Sequence, residues 1–420
     1  MKVFVVAVGT TALVATALVA VPATATPLPA AEAPAVTPTP RAEVKKSFML
    51  YAKFTSRHEA SYGNAKRVGN LVVTQGTVSD SSDKKVGTLT TVMRVVRPSA
   101  KGDAEFRDTQ SQVQLKDGQI FAQAVNEDPK SGPPKTLHVM PITGGTGAYF
   151  SARGTLVLRP VGDKYLMAYD IFVEKQSDSA RFTFDDVVKQ TVTGDAPQGI
   201  GNVTLTHAPG GADSYVSVAT RAGAKRGVVT DSIDLQVFTA TGSLFARTIA
   251  RSAGAAKAQN YAILGGTGSY AGYGGELTLS ADGRSITAKF VAPRGKSSRT
   301  RWLEDTGDGV TGFAIAGGTF LAVQGRQFKA SNKKKDGDFY ATRTTYDEVN
   351  GVTPIVGMLQ QRFNSGTMIV SGITLTDGSD GKTIWRPIIG GTGDFGGANG
   401  EVSSLGQSSG LWLKTGKIWR

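Results

Sequence analysis

Four charged residues in the first half of the chain are of types that can do chemistry: Glu105, Arg107 and Asp108 in one short run, and Arg153 further on. A carboxyl group and a guanidinium converging in a dry pocket can polarise a carbonyl or a phenol and handle its proton. Which of the four share a face depends on strand register, which the sequence leaves open. The competing reading is a solvated strand face with an ion pair at its rim. Other chemistry is excluded more firmly. The 420 residues contain no Cys, which removes thiol nucleophiles, thiolate metal sites and disulfides. The three histidines, His58, His138 and His207, lie far apart, so no local metal-ligand spacing exists and each reads as a surface or wall residue. Gly406 to Gly410 has the spacing of a nucleophile elbow, but no His follows His207 to complete a hydrolase triad. Asp377 to Thr383 ends like a phosphate-binding loop, yet Thr376 stands where its first Gly belongs. The expectation is a protein with no metal and no cofactor.

The elements that must position these side chains come in three copies. Gly144-Gly145-Thr146-Gly147 recurs as Gly265-Gly266-Thr267-Gly268 and Gly390-Gly391-Thr392-Gly393, at intervals of 121 and 125 residues. Each copy continues through an aromatic (Tyr149, Tyr270, Phe395) and a small-residue stretch to a further Gly (Gly154, Gly275, Gly400). About 25 residues before each motif stands a strand-like run after a turn: DGQIFAQAV, TGSLFARTI and SGTMIVSGI. Period-2 runs such as Thr88–Val95, Ser232–Phe238 and Ser285–Val291 are punctuated by Asp-Gly and Asn-Gly pairs, which favour hairpins. No helical stripe follows residue 46. Much of the glycine, 52 residues in all, falls in these turns. A GGTG loop could also cradle phosphate, but that needs a helix after it, and a strand follows. The prediction is all-β: three tandem eight-stranded antiparallel barrels at 47–175, 181–293 and 301–420, joined near 175–181 and 293–301.

The amino terminus concerns destination. Lys2, a long apolar run and the small-x-small site Ala23-Thr24-Ala25 read as a secretory signal peptide over 1–25, with an uncleaved anchor as the competing reading. Residues 26–46, rich in Pro, Ala and Thr, read as a linker. The expectation is a secreted or extracytoplasmic protein with no stable membrane insertion once the signal is removed.

The GGTG-x-aromatic-x-small-x-x-Gly segment with its preceding DGQI-type strand resembles the allene oxide cyclase and dirigent superfamily. There it forms a strand, a tight glycine turn and the next strand of an eight-stranded barrel. Unit 1 matches best, keeping Ala152-Arg153-Gly154 at the end of the motif. The resemblance implies a lumen that binds a hydrophobic molecule and steers its cyclisation or radical coupling. It also implies trimers of barrels, so three barrels in one chain imply a monomer with pseudo-threefold packing. The motif does not include the family's pocket residues, and Glu105, Arg107, Asp108 and Arg153 are the nearest candidates for the pocket of barrel 1.

The formal charge is +13, with basic clusters at Arg294–Arg301, Lys333–Lys335 and Lys414–Arg420. Such a surface suits anionic wall or matrix polymers. Export and the absence of an aromatic-basic strand signature argue against nucleic acid. Two functions follow: a secreted barrel that binds a small hydrophobic molecule, acting as a metal-free isomerase or cyclase if it is an enzyme at all, or a non-catalytic extracellular protein holding anionic polymers.

Overall fold

The computed structural model describes residues 43–419 except 63–66, 101, 132–133, 194–198, 226–227, 253–256, 308, 376–381 and 408–409. The expected signal peptide and the linker up to residue 42 lie outside the described residues. So do most of the P-loop-like run and the centre of the elbow-like one. Among the described residues there is no α-helix, and none long and apolar enough to cross a membrane.

Unit 1 is a closed barrel of eight strands in sequential order. They are β1 (Val44–Ala60), β2 (Leu71–Ser79), β3 (Lys85–Pro98), β4 (Ala104–Leu115), β5 (Gly118–Pro129), β6 (His138–Gly147), β7 (Arg153–Val161) and β8 (Lys164–Val173). The long β1 closes the ring because it serves two partners. Val44–Ala52 pairs with β8, and Tyr51–Ala60 pairs with β2 past a bulge between Phe54 and Ser56. Val44 to Lys46 therefore belong to the barrel and not to the linker.

In the other two units this first strand is broken. Asp178–Thr183 pairs with the last strand of unit 2, and Val188–Val192 with the next one, Val203–Gly210. Between them Phe184 N–H donates to Arg284 O and Asp185 N–H to Pro209 O, so the chain steps from one edge of this nine-stranded sheet to the other and curls it into a barrel. In unit 3, Ser298–Asp305 pairs with both Trp412–Trp419 and Gly318–Lys329, closing eight strands, while Val310–Ile315 continues along the latter. The fold is thus three tandem antiparallel barrels. Their first strands begin at Val44, Asp178 and Ser298, each three residues ahead of the expected boundary.

The glycines of the repeated motif answer three separate steric demands. A Cβ on Gly145, Gly266 or Gly391 would sit 2.3–2.5 Å from the carbonyl oxygen of the motif's own aromatic residue. Gly147, Gly268 and Gly393 all turn the chain at φ +61°, which an L side chain rarely adopts. Gly144, Gly265 and Gly390 face a neighbouring barrel. The residue before each pair is bulged out of the ladder, opposite the shifts at Phe121/Ala122, Phe245/Ala246 and Ile369/Val370.

These strands meet around a pseudo-threefold axis. A Cβ on Gly144 would be 2.7 Å from the Leu264 side chain, one on Gly265 2.8 Å from Pro387, and one on Gly390 3.2 Å from Pro141. Each unit thus backs onto the next, in cyclic order. The barrels' outer faces share one apolar core that includes Phe121 and Val125, Phe245 and Leu264, and Ile369 and Ile389. Equivalent glutamines cross the seams: Gln236 Oε1 accepts from Ile373 N–H at 3.0 Å, and Gln360 Nε2 donates to Val125 O at 3.3 Å.

A carboxylate latch follows the same symmetry with one member missing. Gly147 N–H donates to Glu276 at 3.0 Å and Gly268 N–H to Glu401 at 2.8 Å. The equivalent position in unit 1, next after Gly154, is Thr155. Thr155→Glu is expected to supply the third latch onto the turn at Gly393 and to raise stability by about 0.5–1.5 kcal/mol. A lowered thermal midpoint would show that the seam cannot accept it.

Candidate functional site

Barrel 1 holds a cavity of about 370 Å³. Its side walls follow strand alternation: Leu89, Thr91 and Met93 of β3, Arg107, Thr109 and Ser111 of β4, Met140 of β6, Leu156 and Leu158 of β7, and Met167 of β8. The methionines and leucines make most of it apolar. Polar groups concentrate at the mouth, where Arg57, Arg107, Asp128 and His138 converge with Thr55 and Ser56.

Arg107 and Asp128 are almost fully buried, at 1 % exposure each. Arg107 is the hub of a charge chain. Its guanidinium pairs with Glu105 at 2.7 Å, Glu105 with Arg67 at 3.0 Å, and Arg67 with Glu59 at 2.9 Å. Arg107 also donates to Pro129 O at 2.6 Å and Arg57 to Lys130 O at 3.0 Å, while Tyr165 donates to Pro134 O at 2.9 Å. Pro129, Lys130 and Pro134 are thereby tied to the barrel wall.

Asp128 Oδ1 stands 3.5 Å from His138 Nε2, and neither atom has a hydrogen-bond partner in the protein. Two buried polar atoms left facing an apolar chamber are costly unless something else satisfies them. Burial pushes the Asp128 carboxyl above the ordinary carboxylate range, while His138, Arg107 and Arg57 pull it back. Burial, aided by Arg107, lowers Arg57. The mouth therefore offers a hydrogen-bond donor or acceptor pair beside fixed positive charge. That arrangement can bind a polar oxygen of an otherwise apolar molecule and exchange a proton with it. Among the described residues no group of His, Asp and Glu could hold a metal ion.

Residues 51–172, from β1 to β8, match the family model of the allene oxide cyclase barrel like domain. Over that stretch, which is the first unit, the chain is similar to allene oxide cyclase-like barrels. A comparison with curated proteins found no match. Solved structures similar to part of the chain include a pyocyanin demethylase, 22% identical over 30% of this chain and 99% of that one, with a TM-score of 0.26. AbnU, an exo-specific intermolecular Diels-Alderase, is 15% identical over 31% and 98%, at 0.25. The pterocarpan synthase dirigent protein GePTS1 is 17% identical over 34% and 93%, at 0.24.

Around barrel 1 the four residues singled out from sequence separate. Arg107 lines the lumen, and Glu105, on the same face of β4, supports it from behind. Asp108 is one residue out of phase and points outward, so it does not reach the lumen. It accepts from Gln123 at 2.9 Å; Gln123 accepts from Arg247 at 2.6 Å, and Arg247 pairs with Asp234 at 2.6 Å. This chain crosses from unit 1 to unit 2 through a small polar chamber of about 60 Å³. Arg153 also leaves the lumen: it donates to Thr143 O at 2.8 Å and to Leu264 O of unit 2 at 3.1 Å. Both residues belong to the seams between barrels.

Asp128, His138 and Arg57 went unassigned in the sequence. The signal available was parity: from Ile120 the inward positions of β5 run through Ala122 and Ala124 to Asp128, once the strand is extended past Val125. His138 begins β6, two residues from Met140 on the same face.

The other barrels are built differently. Unit 2 packs Phe182, Tyr215, Leu235, Tyr261, Leu277 and Phe290 into one core inside its ring. Unit 3 encloses Trp302, Phe339 and Met368 together with a buried Lys414–Glu304 pair at 3.1 Å. Lys414 is thus not part of the basic surface that the carboxy-terminal cluster suggested.

Proposed function

We propose that barrel 1 binds a small hydrophobic molecule bearing one phenolic or carbonyl oxygen, and steers its cyclisation by proton exchange at Asp128 and His138 or orients radicals of it, generated by a separate oxidant, for coupling. The carrying observation is the Asp128–His138 pair, without hydrogen-bond partners, at the polar mouth of a mostly apolar lumen. Arg107, fixed by Glu105, stabilises negative charge developing on that oxygen, and the methionine-rich wall adapts to the body of the ligand. Export by the apolar amino-terminal segment would give this barrel extracytoplasmic substrates. The packed interiors of units 2 and 3 and the net charge of +13 favour a second role for those units, as scaffold and as a basic surface for anionic polymers.

The test compares 2-naphthol with naphthalene by calorimetric titration of the full chain. His138→Leu is expected to weaken 2-naphthol about tenfold, the worth of one buried hydrogen bond, and to leave naphthalene unchanged. Equal losses for both probes would mean that the pair only shapes the cavity. Failure of either probe to bind the folded protein would refute the lumen as a ligand site.

A further inference from the structure

A second cavity, of about 230 Å³, lies where the three barrels meet beyond their GGTG turns. Its walls are the small-residue stretches that follow each motif, so all three units contribute. The glycines there are required by space: a Cβ on Gly272 would lie 2.9 Å from Pro293 and 3.0 Å from the Trp419 ring, and one on Gly274 2.8 Å from the Arg153 guanidinium.

Arg153 is 7 % exposed and lines this cavity. Its terminal nitrogens donate only to backbone carbonyls, of Thr143, Ala152 and Leu264. Its Nε has no protein partner, and no carboxylate lies within ion-pair distance of it among the described residues. Glu174, the acid that acts on it through space, is engaged by Arg294 at 2.8 Å. A buried cation held only by carbonyl dipoles is a favourable place for an anion. Two further buried polar atoms of the same cavity lack protein partners: Arg294 Nη2, a donor, and Asn399 Oδ1, an acceptor. Trp419 and Phe172 supply flat apolar surface beside them.

We propose that this three-barrel junction binds a small aromatic monocarboxylate carrying a ring N–H or hydroxyl. The carboxylate takes Arg153, the ring lies against Trp419 and Phe172, and the ring donor bonds Asn399. A single negative charge is favoured over a phosphate or dicarboxylate because Glu43 and Glu174 also border the cavity. The volume suits one or two fused rings. This site is independent of the lumen of barrel 1 and of the reading given for it.

Calorimetric titration of the full chain with indole-3-carboxylate and with indole tests the proposal. Indole-3-carboxylate is expected to bind at one site, with indole at least about tenfold weaker. Asn399→Leu and Arg153→Met should each weaken indole-3-carboxylate about tenfold while 2-naphthol binding in barrel 1 stays unchanged. Because Arg153 also ties unit 1 to unit 2, its variant can fail to fold; Asn399→Leu and Trp419→Leu then decide. Equal affinity for indole and indole-3-carboxylate, affinity unaffected by Asn399→Leu, or binding lost on His138→Leu would each overturn the assignment.

Discussion

Arg107→Met is expected to destabilise unit 1 by about 3–5 kcal/mol, the usual cost of removing one partner from a buried ion pair. Glu105 is fully buried and accepts from Arg107 at 2.8 Å. Without that guanidinium it keeps the hydrogen bond from Arg67, the Pro129 carbonyl loses its Arg107 donor, and the Lys130 carbonyl is left with Arg57. Arg67 is then shared between Glu105 and Glu59, the latter also held by Asn70, so the loss is not confined to one contact. The double variant Glu105→Leu/Arg107→Met removes the stranded charge as well as its partner. It should lose less than half as much, because two packed apolar side chains replace two desolvated ions. Urea unfolding of wild type, single and double variants reads the three values directly. Equal loss in single and double variants would show that Arg107 acts by packing alone.

The second large effect is one of pH. Burial raises the Asp108 carboxyl to about 6, against the hydrogen bond from Gln123 and the charges of Arg247 and Arg94, which lower it. In the unfolded chain the same group titrates at its ordinary value of 3.8. The folded protein therefore holds the proton more tightly. Its stabilising contribution is complete below about pH 4, is lost as pH rises through 6, and leaves a constant cost above that. A rise of this size corresponds to about 3 kcal/mol. Asp108→Asn keeps an oxygen for Gln123 and removes the charge, so it should melt higher than wild type at about pH 7.5 and nearly with it at about pH 4. Thermal midpoints at the two values check this. The same difference at both would exclude Asp108 as the titrating group.

The fold was readable because its punctuation is glycine. Gly145, Gly266 and Gly391 sit where any side chain would strike a carbonyl, so the motif had to recur wherever the turn did. The seam between barrels was readable only as what the resemblance implied for three copies in one chain, since Leu264 and Ile389 owe their outward aim to bulges that leave no residue signature. The site was less legible, and for a definite reason. A strand's two faces are told apart by one residue of register. Arg107 and Asp108 adjoin in sequence, and one lines the lumen while the other meets unit 2. Asp128 and His138 lie 10 residues apart in sequence and meet because they stand on neighbouring antiparallel strands, β5 and β6. Arg153 looked like a pocket residue from its place after the turn, whereas the strand it starts faces the pseudo-threefold axis at that point.

Binding of a small molecule in the lumen of barrel 1 is tested most directly at its methionines. Of the seven in the chain, Met93, Met140 and Met167 line the lumen, while Met358 and Met368 lie in unit 3. Carbon-13 methyl spectra recorded during titration with 2-naphthol report on each separately. Saturable shifts confined to Met93, Met140 and Met167 are the predicted result. Unmoved lumen methyls at saturating 2-naphthol, or shifts centred on Met358 and Met368, would contradict it.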